Sequence, residues 1–194
     1  MRRAALTSEN LIALCAERLA KIVLDEAGRN ASFKKLVTAA LAGAEGPKAV
    51  AAIVDRRLAG LERARGFVDW EKRKVFAADL RGTLTTITNE LGAADPGVAA
   101  DRLVRFLTCA EGVFERIDDS SGYIQTIFHD GADALQDLVA KMPESDRIVL
   151  VERLVPLLAA DGYGLIDAAV HGTIPLLSSA VLRKSTPGSR APPR

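Results

Sequence analysis

His129-Asp130, with Asp133 one helical turn beyond, is the group of residues in this chain best suited to chemistry. On a helix, His129 and Asp133 share a face, the arrangement that a metal site or a histidine-aspartate phosphohydrolase centre would use. Such centres draw several His and Asp ligands from different helices, and the only other histidine is His171, between Val170 and Ile174. The simpler reading of both is a solvated or partly satisfied side chain. Cys15 and Cys109 lie among apolar neighbours at helical spacing and read as small buried hydrophobes. Two cysteines build neither a disulfide framework nor a four-thiolate metal site, and they suit a reducing cytoplasm. No serine sits at a strand-to-helix elbow, and no GxxxxGK or GxGxxG loop is present to hold phosphate. Asp118-Asp119-Ser120-Ser121 lacks the carboxylate spacing of a calcium loop; it reads as side chains satisfying free amides at a helix start. No catalytic residue, cofactor or metal site is assigned from the sequence.

Charge offers a second class of site. Between Pro47 and Arg81 stand Lys48, Arg56, Arg57, Arg63, Arg65, Lys72, Arg73, Lys74 and Arg81, interspersed with Asp55, Glu62, Asp69, Glu71 and Asp79. From Asp101 to Asp167 the acids dominate. The candidate interaction surface is Arg56, Arg57, Arg63, Arg65, Lys72, Arg73 and Lys74. A basic patch of this kind touches nucleic-acid phosphates in one reading and is an ordinary solvated helix face in the other. A dipolar chain can also associate with itself, basic end to acidic end. The net charge of +1 gives no overall steering toward nucleic acid or anionic membrane.

The elements that would position these residues are helices. The chain of 194 residues is 48% hydrophobic, long enough for one domain with a real core. Apolar residues recur at threes and fours, and no period-two alternation is flanked by hairpin turns. Ser8 is the expected cap of a first helix carrying Leu11, Leu14, Cys15, Leu19, Ile22 and Val23. A second follows with Phe33, Leu36, Val37 and Leu41 inward, and Pro47 opens a third. Asp69 caps a fourth, with Val75, Phe76, Leu80, Leu84, Ile87 and Leu91 inward; its threonines Thr83, Thr85, Thr86 and Thr88 weaken helix propensity. Asp95-Pro96 starts a fifth that runs to Ile117, and a sixth follows Gly122. Ser145 is expected to cap the seventh, and an eighth follows Asp161-Gly162-Tyr163-Gly164. Pro156 and Pro175 are expected to kink those last two helices.

Most of the aromatic residues (Phe67, Trp70, Phe76, Phe106, Phe114, Tyr123 and Phe128) fall between Gly66 and Met142, so the densest packing is expected there. The fold class is all-α: about eight antiparallel helices as an irregular helical-hairpin array, with a compact bundle as the alternative. Residues 1–182 form the expected single domain and 183–194 a disordered, proline-rich tail. No signal peptide or membrane span is read, so the expected setting is the cytoplasm.

Gly66-Phe67-Val68-Asp69-Trp70-Glu71-Lys72, Val113–Gly122 and Asp161-Gly162-Tyr163-Gly164 together resemble a family of uncharacterised, mostly proteobacterial helical proteins, a domain of unknown function. The likeness spans roughly Leu6 to Leu182. It implies an all-helical fold of helix-hairpin-repeat character and no activity, cofactor or partner. Members of that family usually continue in further helices, so this chain reads as a shortened or frame-altered copy. The expected role is a non-catalytic scaffold that binds another protein or itself; the alternatives are nucleic-acid binding through residues 48–81 and metal-dependent hydrolysis around His129.

Overall fold

The computed structural model describes residues 5–177. Its elements are helices throughout: α1 (Ser8–Ile12), α2 (Ala16–Arg29), α3 (Ala31–Glu45), α4 (Pro47–Arg63) and α5 (Trp70–Thr85). α5 continues through a π-helical segment (Thr86–Leu91) into the single turn α6 (Gly92–Ala94). Then come α7 (Pro96–Thr108), α8 (Ala110–Phe114), α9 (Tyr123–Ala140), α10 (Glu144–Leu154) and α11 (Leu165–Thr173). Among the described residues there is no strand, only an isolated bridge between Val68 and Ile117. The expected all-α class is what the chain adopts.

The helices pack pairwise around a shared core. α4 packs on α7 and α7 on α10, while α5 packs on α9 and α9 on α11; within hairpins, α7 meets α9 and α10 meets α11. α3 lies against α4, α5 and the π segment, and α2 adds a last layer on α3. One hydrophobic core runs through the stack, with Phe106, Phe128, Ile87, Leu91, Leu103 and Leu135 fully buried. Ion pairs also join α4, α7 and α10 at their partly solvated margins. Asp55 on α4 takes Arg102 at 3.0 Å and Arg105 at 3.1 Å, Glu62 takes Arg105 at 2.5 Å, and Asp101 on α7 takes Arg153 of α10 at 2.5 Å. Each pair is partly solvated and contributes little alone. Together they link α4, α7 and α10.

The threonine run has a specific consequence. Thr83, Thr85, Thr86 and Thr88 each turn a hydroxyl back onto the carbonyl four residues earlier, at 2.8 to 3.1 Å. Such back-bonding competes with the helix ladder, and here the helix loosens into the π turn. Arg57 Nη1 adds a bond to Thr86 Oγ1 at 3.1 Å. This loosened segment lies at the centre of the molecule, touching α3, α4 and α7.

Several expectations are corrected. The first helix is two, α1 and α2, broken at Ala13–Cys15, and the cap is Thr7, which accepts from the Asn10 amide at 3.3 Å, rather than Ser8. Neither α1 nor α2 has a buried residue: among the described residues only α3 packs closely on α2, and Ile22 and Cys15 are exposed. Leu41 and Val75 also face water. Ser145 does not cap α10, which begins a residue earlier behind Pro143. Pro156 and Pro175 do not kink α-helices; each lies just past the end of one, in the 3-10 turns Val155–Ala160 and Ile174–Leu176. Proline removes the donor that would close the next α turn, and the tighter turn needs fewer such bonds. The expected fifth helix breaks at Cys109, separating α7 from α8. The expected tail, 183–194, lies outside the described residues.

Candidate functional site

Three inter-helix connections meet on one edge of the stack, and that edge holds the features with most capacity for recognition. The connections are residues 64–69, 115–122 and 161–164. Val68 N donates to the Arg116 carbonyl at 2.8 Å, joining the first to the second. Tyr163 of the third sits over Phe114, ring centroids 4.4 Å apart. The second and third use one device to start the next helix. Asp119 accepts from the Ile124 and Gln125 amides at 3.1 and 2.8 Å, and Asp161 from Leu165 and Asp167 at 3.0 and 2.8 Å. Three residues after each aspartate, Gly122 and Gly164 take φ of 67° and 69°, a left-handed backbone that glycine adopts freely. The acidic turn Asp118–Ser121 thus caps a helix, as its composition suggests.

The rings divide in a way periodicity does not show. Phe106 and Phe128 stack at 4.8 Å with no exposed surface, and Phe114 closes on Phe128 at 5.5 Å. Phe67, Trp70 and Tyr123 instead are exposed at 64, 74 and 54%. The packing expected between Gly66 and Met142 thus draws on Phe106, Phe114 and Phe128 and not on Phe67, Trp70 or Tyr123. Trp70 and Tyr123 are the first residues of α5 and α9, and Phe67 belongs to the first connection. Helix-first positions stand at the rim, where apolar side chains have little to cover them. The bridge at Val68 and a hydrogen bond from Arg73 Nη1 to the Asp118 carbonyl, 2.7 Å, hold these elements together. The result is a rim of exposed aromatic rings flanked by charges of both signs, with Asp69, Glu71, Lys72 and Lys74 on the α5 side and Glu115 and Asp118 on the other.

Of the seven basic residues singled out from the sequence, Arg57 is half-buried and spent on Thr86 and the Lys35 carbonyl; burial lowers its pKa. Arg73 is tied to Asp118, and Lys72 pairs with Asp69 at 3.5 Å. Arg65 donates to the carbonyls of Glu62 and Ala64. Arg56, Arg63 and Lys74 are exposed and make no salt bridge among the described residues. His129 is exposed, its Nε2 3.4 Å from Gln125 Nε2, while Asp130 turns away to an ion pair with Arg81. His171 is exposed beside Asp167. Among the described residues no three His, Cys, Asp or Glu side chains gather in a way that would hold a metal ion.

A residue that sequence reasoning passed over is Arg116, buried at the junction of the connections. Its Nε donates to the Gly112 carbonyl at 3.0 Å and its Nη1 to Gly66 at 3.4 Å, and the guanidinium lies 5.2 Å over the Phe76 ring. Its Nη2 is buried with no acceptor among the described residues. An unmet buried donor costs about 1–3 kcal/mol. Burial, and after it the nearby charge of Arg65, lowers the Arg116 pKa. Arg65 and Arg116 line an open cleft of about 510 Å³ between the end of α4 and the α7–α8 junction. Cys109 lies in its wall, its thiol pushed up to about 11 by burial, and it donates to the Arg105 carbonyl at 3.3 Å. A thiol so protonated at neutral pH is no nucleophile.

An all-α protein whose helices share one core is the class that the fold defines. The chain belongs to a family of unknown function (DUF6880), whose profile matches residues 1–187. No curated protein and no solved structure matches the chain. No helix among the described residues is long and apolar enough to cross a membrane.

Proposed function

We propose that the protein is a non-catalytic helical-repeat scaffold that binds protein through its aromatic rim, with a second copy of itself as the first partner. The observation that carries this is the exposure of Phe67, Trp70 and Tyr123 on neighbouring connections. Large rings left in water on a rigid edge are the residue types that dominate binding energy at protein interfaces. Flanking charges of both signs favour a protein partner over a polyanion, because Glu115 and Asp118 would repel phosphates at the same rim. An exposed apolar patch ringed by charges of both signs can meet a second copy of itself across a two-fold axis. At 150–250 Å² per buried ring, the exposed parts of the three supply roughly 300–480 Å² per copy. That is about half of the ~800 Å² per partner that a stable interface buries, and the flanking polar residues make up the remainder. The two unpaired thiols suit a cytoplasmic setting.

Sedimentation velocity across a concentration series tests the reading. The wild-type chain is expected to pass from monomer to dimer, and the variant carrying Phe67→Ser, Trp70→Ser and Tyr123→Ser to stay monomeric with unchanged helicity. A wild-type chain that stays monomeric throughout, or a variant that still dimerises, refutes self-association through the rim.

A further inference from the structure

We infer that in the self-associated form Trp70 of each copy lodges in an apolar pocket beside Tyr163 of the other. This rests on the rim reading and names the contact by which the rim holds its partner. The pocket lies between the α7–α8 junction and the third connection and has a volume of about 190 Å³. Leu107, Ala110, Leu165 and Ile166 are its buried lining, and Leu157 and Tyr163 its partly open side. It is smaller than the roughly 300–1,000 Å³ of small-molecule sites. An apolar cavity of about 150 Å³ already accepts a benzene ring, so the scale is that of one large side chain. Trp70, the only tryptophan in the chain, stands 74% exposed on the same edge with nothing to cover it.

The order of the connections along the edge brings ring and pocket together. The second connection is the middle one. Val68 N on the Arg116 carbonyl, 2.8 Å, ties the first to it, and Tyr163 on Phe114, 4.4 Å, ties the third. The helices that leave them keep this order, α5 against α9 and α9 against α11. A two-fold axis beside the second connection therefore lays the first connection of one copy on the third of the other, and the contact forms twice. Tyr123, at the start of α9, then lies near the axis. Of the two rings on the α5 side, only the indole carries an N–H, a donor that needs an acceptor once buried. Glu111 is exposed in the pocket wall and makes no ion pair among the described residues. Its carboxylate is the acceptor on offer, because Asp161 is committed to the Leu165 and Asp167 amides. Lys74, one turn beyond Trp70 on the same side of α5, brings a positive charge to that mouth, while Glu71 sits on the adjoining side of the helix. Closing the pocket buries its walls as well as the indole, adding to the rings' area toward the ~800 Å² per partner of a stable interface.

The test is isotope-filtered NMR on a mixed sample of the full chain, at a concentration where sedimentation shows dimer. One population carries protonated tryptophan in a deuterated background, the other labelled leucine and isoleucine methyls. Nuclear Overhauser contacts are expected from the Trp70 indole of one copy to the Leu107, Leu165 and Ile166 methyls of the other. A dimer whose indole shows none of them overturns the pocket contact and leaves the rim interface standing. A chain that stays monomeric overturns both. Two variants give a second readout. Ala160→Phe places a ring from an exposed position of the pocket lining and is expected to weaken dimerisation tenfold or more with helicity kept. Glu111→Ala removes the acceptor for the indole and is expected to weaken it about tenfold. Unchanged dimerisation in either variant overturns the contact.

Discussion

Phe128 is where the packing account can be tested hardest. Its ring is fully buried, stacked on Phe106 at 4.8 Å and tilted against Phe114 at 5.5 Å, which in turn contacts Tyr163 at 4.4 Å. It therefore sits inside an aromatic chain that runs from α7 through α9 and α8 to the third connection. Truncation to alanine removes a buried phenylalanine, which costs about 3–5 kcal/mol including the cavity. Each lost ring pair adds about 0.5–1.5 kcal/mol where the neighbours do not close up. Against a total stability of about 5–15 kcal/mol for a domain, Phe128→Ala should lose about a quarter of the margin or more. With about 2–4 °C per kcal/mol at this chain length, a summed loss of about 4–8 kcal/mol should lower the midpoint by roughly 8–32 °C. Phe67→Ala is the matched control: the same side chain, 64% exposed, should change stability by no more than about 0.5 kcal/mol. Urea and thermal unfolding followed by circular dichroism read both. A loss below about 1 kcal/mol for Phe128→Ala, or equal losses for the two variants, refutes this division of the rings between core and rim.

Other perturbations follow from the same coordinates. A Cβ on Gly92 would come within 2.7 Å of Leu138 Cδ2, so Gly92→Ala should destabilise by about 1–3 kcal/mol. Gly60→Ala, in open space on helix α4, should stabilise by about 0.4–1 kcal/mol; denaturant midpoints check both signs. Asp119→Ala removes the acceptor for two amides at the start of α9 and should cost about 1–2 kcal/mol by the same unfolding measurement. The Arg105 hydrogen bonds hold the Glu62 carboxyl below its ordinary range. Its stabilising contribution is thus present above the usual carboxylate pKa and lost as pH falls through the lowered value. Glu62→Gln should flatten the acid limb of stability against pH; an unchanged limb would contradict the pairing. With thiol reagent at pH 8, exposed Cys15 should react promptly and buried Cys109 only in denaturant. Two fast thiols in the native protein would show that the wall of the cleft is open.

What was legible in the sequence was periodicity and punctuation. The stripes at Leu103, Phe106, Leu107 and at Ile124, Phe128, Leu135 define the buried faces of α7 and α9, and Asp95-Pro96 opens α7, with Asp95 accepting from Val98 N at 2.9 Å. The corrections share one cause: position in the stack. Leu11 and Ile22 lie on the expected helical stripe, yet among the described residues no further hairpin covers the apolar face of α1 and α2. Phe67, Trp70 and Tyr123 are apolar in type, but they begin helices or precede them, at an edge that one-dimensional spacing cannot distinguish from the interior. The π turn was half legible, since the threonine run signals strain without saying which way the helix yields. Arg116 was missed altogether. Its role rests on three segments converging from different parts of the chain, Gly66, Phe76 and Gly112, and a local pattern holds no trace of that.

The rim is probed most directly through Trp70, the only tryptophan in the chain and 74% exposed. Its emission, recorded over the same concentration range as the sedimentation series, should be that of a water-exposed indole in dilute protein and move to the blue as mass doubles. Emission that stays at the water-exposed value while the chain dimerises, or that is already blue in the dilute monomer, contradicts the account.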